Sequence, residues 1–531
     1  QVAQSVSGWS TGTAIDVTLT LGALNEGPLY LFVVNTHGGY SNGYEVAVYE
    51  TPVIGDAGDE DFHHGETGIT VSGTDFDTQG AGSKVYLSDN ATWGAGSTVE
   101  QTVTAWNDTS IQFTADIGSL SRGTLYLFVV NDAGGVSGGY EVALDYVWYN
   151  DSWMYRMPIT ANSSKVASTQ TDFPVYLDLS ILGDGHAFWS GVKSDGGDII
   201  VTDIAGTRLP LEVVSISTTG HTGELHFKAG TLSGSQDTTF LLYYGNVSAS
   251  QPAETAAYGA QDVWDGNYKS VWHLGESGSG VVGEYKDSTD QDDDGTGQGN
   301  IPDRVSGKLG YGQSFDGTAD FFSTADSLEQ WLGLTATLEC WIQVDATETG
   351  SASAWQAPAI SGAEQGGGDN DIFWGWLNGT GKLCVQAGDT AGAASTTTVT
   401  DGTWYHAVFT RNSVTGATEV YINATREGTA TSEAGAKTLA FNGIGRLLNS
   451  SNPYLDCILD EVRVSSSVRD QNWITTAYNN QSSCAAFFGV VGDQETVAEI
   501  DISGSLYRSD RSTKLSSQTV KLAVNGGIVY T

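Results

Sequence analysis

Basic side chains are scarce in this chain: 22 Lys and Arg stand against 63 Asp and Glu, a formal net charge of −41. The field of such a chain repels phosphate backbones and anionic lipid surfaces, which argues against nucleic-acid binding. Surplus acid suits a soluble extracellular surface, a salty habitat or divalent-cation sites, and charge alone does not separate the three. Cysteine is almost absent. Cys340, Cys384, Cys457 and Cys484 are the only four and none sits in a Cys-x-x-Cys pair, which disfavours zinc and leaves one or two disulfides or buried thiols open. No apolar run is long enough to span a bilayer, so no membrane insertion is expected, and Gln1 opens no signal-peptide pattern. The chain is therefore expected to be soluble and to begin after any targeting segment. Also missing are G-x-S-x-G, H-E-x-x-H and a phosphate-cradling glycine loop between strand and helix, so no active site is expected.

What is present reads as β structure. Gly is abundant at 68 residues, Pro and Met are few at 9 and 2, and Val, Thr, Ser and aromatics recur in short alternating runs. That composition predicts an all-β chain with glycines in turns, and 531 residues suggest about three to five domains. A repeat comes first. Leu29-Tyr-Leu-Phe-Val-Val-Asn35 returns as Leu125-Tyr-Leu-Phe-Val-Val-Asn131, and Val6-Ser-Gly-Trp9 is echoed by Val103-Thr-Ala-Trp106. Two copies of one β-sandwich module are predicted, a partial one at 1–51 and a complete one at 52–147. The complete copy, with His63-His64-Gly65-Glu66 leading into Ile69-Thr-Val-Ser-Gly73, resembles the immunoglobulin-like IPT/TIG family. The histidine pair is expected in a loop without a ligand. The first copy lacks its opening half, so either the chain is a fragment or neighbouring chains donate the missing strands.

Residues 148–252 carry Tyr155-Arg156-Met-Pro-Ile159, Asp172-Phe-Pro-Val-Tyr-Leu-Asp178, Leu209-Pro-Leu-Glu212 and Leu241-Leu-Tyr-Tyr-Gly-Asn246. They resemble a β-rich domain of unknown function that commonly precedes concanavalin-like modules. Residues 253–494 carry Val271-Trp-His-Leu274, Asp287-Ser288, Leu338-Glu-Cys-Trp-Ile342, Gly402-Thr-Trp-Tyr-His-Ala-Val408 and Leu459-Asp-Glu-Val-Arg-Val464. This order resembles the laminin-G-like members of the concanavalin A superfamily and implies a jelly roll of two antiparallel sheets. Asn423-Ala424 departs from the Asp-Gly usual there, so that hairpin turn is expected to differ, and a short helix is expected over 468–480. Residues 495–531 resemble the start of a further immunoglobulin-like module.

Two places could hold chemistry. Asp290, Asp292 and Asp294, following Asp287 and preceding Gly295, have the alternating carboxylates of a calcium loop. Ile301 at the twelfth position excludes an EF-hand. Asp460 breaks the alternation of its strand by falling on the face of Ile458, Val462 and Val464, opposite Glu461 and Arg463, where it needs donors or a cation. The resemblance implies a calcium near Asp460 and Asp287; the alternative is that Asp460 accepts backbone N–H groups. Asp460 and Glu461, placed on opposite faces, could not flank one glycosidic bond. His406 is expected to serve packing. Trp374 and Trp376, with Trp355 and Phe373, are candidate sugar-binding rings in a Gly-rich region, against a buried strand as the alternative. The expectation is a non-catalytic extracellular or cell-surface protein, a stalk presenting a lectin-like domain that adheres to glycans or matrix polymers with calcium support. The alternatives are a structural subunit of a fibre, appendage or virion, associating with copies of itself, and the non-catalytic arm of a longer secreted enzyme.

Overall fold

A computed structural model of the chain describes residues 5–10, 14–18, 27–34, 37–48, 51–58, 61–63, 65–118, 120, 123–145, 148–449, 451, 453–496, 522–524 and 527–530. The described residues are nearly all β, as the composition predicts. In the second module the two-residue period is plain. Ile69 and Val71 are buried while Thr70 and Ser72 are exposed, so one face of the Ile69–Thr74 strand goes inward. That strand, with Val53–Asp56, Thr102–Asn107 and Ser110–Thr114, makes a four-stranded sheet. It packs on a five-stranded sheet containing Lys84–Ser88, Gly123–Val130 and Tyr140–Asp145, around Val71, Val85, Leu87, Phe113 and Leu127. The repeat extends to the pairing. Ser5–Ser10 pairs with Ala14–Thr18 as Thr102–Asn107 pairs with Ser110–Thr114, with a register shift at Val6/Gly8 matching one at Val103/Ala105. His64 lies outside the described residues, as does most of the further module expected after 495, of which the Leu522–Val524 and Gly527–Tyr530 hairpin is described.

The unit that follows is a sandwich of two unequal sheets. Gln170–Asp178, Thr222–Leu232 and Leu211–Ser217 form the smaller one. In the larger one Ile200–Asp203, Thr238–Tyr244 and Tyr155–Ala161 lie in order, and Tyr155–Ala161 then pairs with Phe488–Val491 from far along the chain. The buried cluster of Met157, Ile159, Val175, Phe227 and Leu242 continues without interruption into Trp264, Val271, Trp341, Trp473 and Phe487. The division expected near 252/253 is thus no break in packing, and the unit expected to end at 494 gives its last strand, Phe488–Val491, to the sheet of its neighbour.

The jelly roll sets an eight-stranded sheet against a four-stranded and a three-stranded one. Asp456–Ser465 is central in the large sheet, between Tyr311–Asp316 and Ala336–Val344, with Tyr268–Trp272 also paired to its end. Trp272, Phe315, Leu338, Ile342, Trp374 and Val462 fill the space between the sheets. All four cysteines are buried free thiols. The turn at Asn423-Ala424 has both residues at positive φ, 48° and 64°, the backbone of a two-residue type I′ hairpin reached without glycine. The closing helix is Gln471–Ser482; its N-cap Asp470 accepts from the Trp473 amide, and Trp473 meets Phe173 at 4.9 Å. Asn480 accepts from the Tyr176 amide at 2.7 Å and donates to the Tyr176 carbonyl at 2.8 Å, so a side chain covers the open edge of the Gln170–Asp178 strand.

Because one apolar cluster crosses from residue 157 to residue 488, the two units are expected to unfold together. Phe487→Ala, which empties a fully buried site, is expected to cost about 3–5 kcal/mol and to shift one calorimetric transition of the 148–496 region as a whole. Two separated transitions in that variant would contradict the shared core.

Candidate functional site

A β-bulge decides what the large sheet presents to its neighbour. Cys457 and Leu459 face the core, and the alternation would send Glu461 inward next. Instead Glu461 takes φ 52°, and the register shifts between Glu339/Arg463 and Trp341/Asp460, so that Val462 and Val464 regain the core face. The expected placement is corrected accordingly. Asp460 lies with Ile458 on the outer side, opposite Val462 and Val464, and Asp460, Glu461 and Arg463 all point toward the 148–252 unit. The sidedness argument against paired carboxylates falls with it. Both are nevertheless fully enclosed, with Asp460 at 0% and Glu461 at 1% exposure.

The smaller sheet of the preceding unit supplies the groups that meet them. In Thr222–Leu232, Leu225 and Phe227 point into their own sandwich, so Glu224 and His226 project from the other face into the seam. His273 accompanies them just beyond the Tyr268–Trp272 strand. His273 Nδ1 lies 2.5 Å from Glu461 Oε1 and 4.0 Å from Glu224 Oε1, while His273 Nε2 lies 3.4 Å from Glu212 Oε2. His226 Nε2 is 3.4 Å from Glu224 Oε1, and the two imidazoles stack at 4.7 Å. The Arg463 guanidinium holds Glu461 Oε2, and Glu212 accepts from Trp264 Nε1 at 3.0 Å and Ser288 Oγ at 2.5 Å. One donor atom from each of Glu224, His226, His273 and Glu461 can be chosen so that all lie within 4.8 Å of one another, and among the described residues this is the one such His/Cys/carboxylate group.

Burial sorts the charges. Burial and the negative charge of Glu461 push the Glu224 and Asp460 carboxyls well above the ordinary range. Burial acts the same way on Glu461, but the charges of His273 and Arg463 overcome it and hold that carboxyl low. For His273, burial is outweighed by Glu461 and Glu212, which raise it; for His226, burial and the charge of His273 both lower it. The seam thus keeps Glu461 ion-paired and favours the neutral forms of Glu224 and Asp460.

The acidic loop is organised by its own backbone. Asp287 accepts from the amides of Val271, Thr289 and Asp293 and from Thr289 Oγ1, so its oxygens are turned onto protein donors. Asp294 accepts from the Asp287 amide and pairs with Lys286; Asp290 accepts from Gln291, and Asp292 from Gln261. Asp460 Oδ2 accepts from the amides of Lys308 and Leu309, both at 2.7 Å, which is the alternative to a cation. Among the described residues these carboxylates do not come together as a group of three or more ligand atoms. Asp293, absent from the expected set, is the most perturbed of the loop: burial lifts its carboxyl to about 7, against the Asp326 amide that it accepts. Trp374 and Trp376 are not exposed rings. Trp374 is wholly buried and donates to the Leu332 carbonyl, and Trp376 packs with Phe373 and Leu447; of that group Trp355 is open, at 50%. His406 is buried against Glu339 at 3.0 Å.

An open cleft of about 540 Å³ lies on the same seam. Asp172 and Lys228 border it from one unit and Asp262, Asp265 and Asp290 from the other side, with the rings of Trp264 and Tyr268 among its lining. Carboxylates and an ammonium are groups that bind a polyhydroxylated ligand, and the volume suits a small molecule.

Two outcomes follow for the loop and the bulge. Asp460→Ala is expected to lose about 1–3 kcal/mol by orphaning the buried Leu309 amide and the half-buried Lys308 amide, with no change in melting temperature on adding calcium to either form. For Asp293, a raised carboxyl means a contribution to stability that is complete below about 4 and fades as pH rises through about 7. Asp293→Asn should therefore match the wild type near pH 4 and gain on it above pH 7, read as the difference between two melting-temperature curves; a difference flat with pH would refute it.

Residues 316–475 match the family model described as the concanavalin A-like lectin/glucanases superfamily. A comparison with curated proteins gave no match. Among solved structures, domain 4 of AbnA, a GH43 extracellular arabinanase of Geobacillus stearothermophilus in complex with arabinotriose, is similar at 18% identity and TM-score 0.29, over 39% of this chain and 97% of that one. The binding domain of Paraclostridial Mosquitocidal Protein 1 is similar at 13% and 0.29, over 40% of this chain and 52%, about half, of that one. A Trypanosoma rangeli sialidase in complex with sialic acid is similar at 11% and 0.30, over 90% and 77%. None is close enough to carry an argument about function. The family match and the facing sheets agree on one point: the jelly roll, matched over residues 316–475, is a concanavalin A-like domain.

Proposed function

We propose that the chain is a non-catalytic extracellular adhesion protein, in which immunoglobulin-like modules carry a lectin-like jelly roll that binds glycans or matrix polysaccharide. The observation that carries this reading is the match of residues 316–475 to a superfamily of lectins and glucanases. The seam cleft supports it, since Lys228, Asp262 and Asp290 offer donors and acceptors to sugar hydroxyls. The outer face of the large sheet around Asp456–Ser465 is covered by the 148–252 unit, which turns attention from that face to the seam. Calcium has no part in this reading. A second reading, a structural subunit of a fibre, appendage or virion, draws support from the shared core, which holds two units at a fixed angle as a load-bearing assembly needs.

The test is a glycan array probed with the purified chain, with and without calcium. Binding to neutral or basic saccharides is expected, unchanged by calcium, and Lys228→Ala and Asp290→Ala should each weaken it by about tenfold while leaving the melting temperature in place. A blank array, with regular filaments in electron micrographs of the same sample, would replace the lectin reading by the structural one.

A further inference from the structure

The buried seam holds a donor set that neither sheet packing nor sugar binding requires. Glu224 and His226 stand two residues apart on one face of one strand, while His273 and Glu461 come from the jelly roll, so each unit contributes one carboxylate and one imidazole. We propose that Glu224, His226, His273 and Glu461 bind a divalent transition-metal ion of the zinc class, which fastens the 148–252 unit to the concanavalin A-like domain.

The donor chemistry decides the kind of ion. Two imidazole nitrogens with two carboxylate oxygens are the mixed set of zinc and its neighbours, whereas calcium takes oxygen alone. The scarcity of cysteine bears only on thiolate sites and leaves this one untouched. Side chains around the donors hold them in aim. Arg463 occupies Glu461 Oε2 and leaves Oε1 directed at His273 Nδ1. Behind His273, Nε2 lies 3.4 Å from Glu212 Oε2 without a formed hydrogen bond, and Glu212 is itself fixed by Trp264 and Ser288. Tyr176 and Trp264 each lie 5.4 Å from the His226 ring and set its plane.

The protein's own hydrogen bonds do not close the site. His226 Nδ1, His273 Nε2 and Asp460 Oδ1 are buried side-chain atoms with no hydrogen-bond partner, on residues between 0% and 7% exposed. Glu212, Glu224, Asp460 and Glu461 bring four carboxyls together, and the Arg463 guanidinium is already committed to Glu461. A doubly charged ion would satisfy the two glutamates and both rings at once, with Glu461 and His273 exchanging their mutual hydrogen bond for bonds to the ion. Since all four donors are enclosed, the ion would enter before the units close on each other and would leave slowly.

The experiment unfolds the full chain, freed of any affinity tag, and refolds it with Zn²⁺, Co²⁺, Ca²⁺ or a chelator before gel filtration and elemental analysis. The wild type should retain about one Zn²⁺ or Co²⁺ per chain, show the visible ligand-field bands of nitrogen- and oxygen-bound Co²⁺, melt higher than the chelator-refolded protein, and retain no Ca²⁺. Glu224→Gln and His226→Gln should lower occupancy by at least about tenfold, while His221→Gln, on the exposed turn before the same strand, should keep it. If either ligand variant fails to fold, the wild-type stoichiometry, Co²⁺ spectrum and melting shift decide the matter alone. A wild type that retains no ion and melts identically with Zn²⁺ and chelator overturns the proposal; so does an ion kept equally by a folded His226→Gln.

Discussion

Enclosing carboxylates between two sheets is the constraint on which the arrangement of residues 148–496 depends. A buried carboxylate is tolerable only when another group shares its charge or its proton. The jelly roll alone would expose Glu461 and Asp460 on the outside of its large sheet, and the 148–252 unit alone would expose Glu224 and His226 on the outside of its small one. Docked, the 148–252 unit brings Glu212 to His273, Trp264 and Ser288, while within the jelly roll His273 and Arg463 share the charge of Glu461 and the amides of Lys308 and Leu309 hold Asp460. Around this polar centre the apolar cluster of Trp264, Trp341, Trp473 and Phe487 excludes water, which strengthens every electrostatic contact inside it. The polar centre fixes the registration of the two faces, and the apolar surround supplies the bulk of the adhesion.

Much of this was legible from residue order. Alternation in Ile69-Thr-Val-Ser is enough to announce a strand with one buried face, and the repeated Leu-Tyr-Leu-Phe-Val-Val-Asn run announces a repeated hairpin. What alternation cannot register is a residue inserted into the count. The bulge at Glu461 adds one, and every inference about sidedness beyond it inverts, including the one that set Asp460 and Glu461 apart. Trp374 and Trp376 were misplaced for a related reason. Every residue of Ile372–Leu377 is buried, because the bulge at Gly375 and the cover over both faces remove the exposed side that a Gly-rich context suggests.

The missed residues carried a faint signal. Glu224-Leu-His226 is a polar pair two apart, which places both on one face of the strand and calls for a polar partner there. His273 and Glu461 sit in motifs that read as strand signatures of the jelly roll, and nothing in their spacing couples them to residue 224. The acidic loop shows the converse. Asp287, Asp290, Asp292 and Asp294 have the spacing of oxygen ligands, yet Asp287 spends its oxygens on amides, and only their directions in space reveal it.

The return of Phe488–Val491 to the Tyr155–Ala161 strand has a consequence for biosynthesis. Arg156 and Glu495 meet across a sequence separation of 339 residues, and the larger sheet of the 148–252 unit keeps an unpaired edge until those last strands emerge. At translation rates of about 5–20 residues per second that interval is on the order of tens of seconds, during which an incomplete sheet stands open to pairing with other chains. A protein so built gains from synthesis that is spaced out or escorted, and a molecule truncated within the jelly roll would damage a domain whose own sequence it leaves intact.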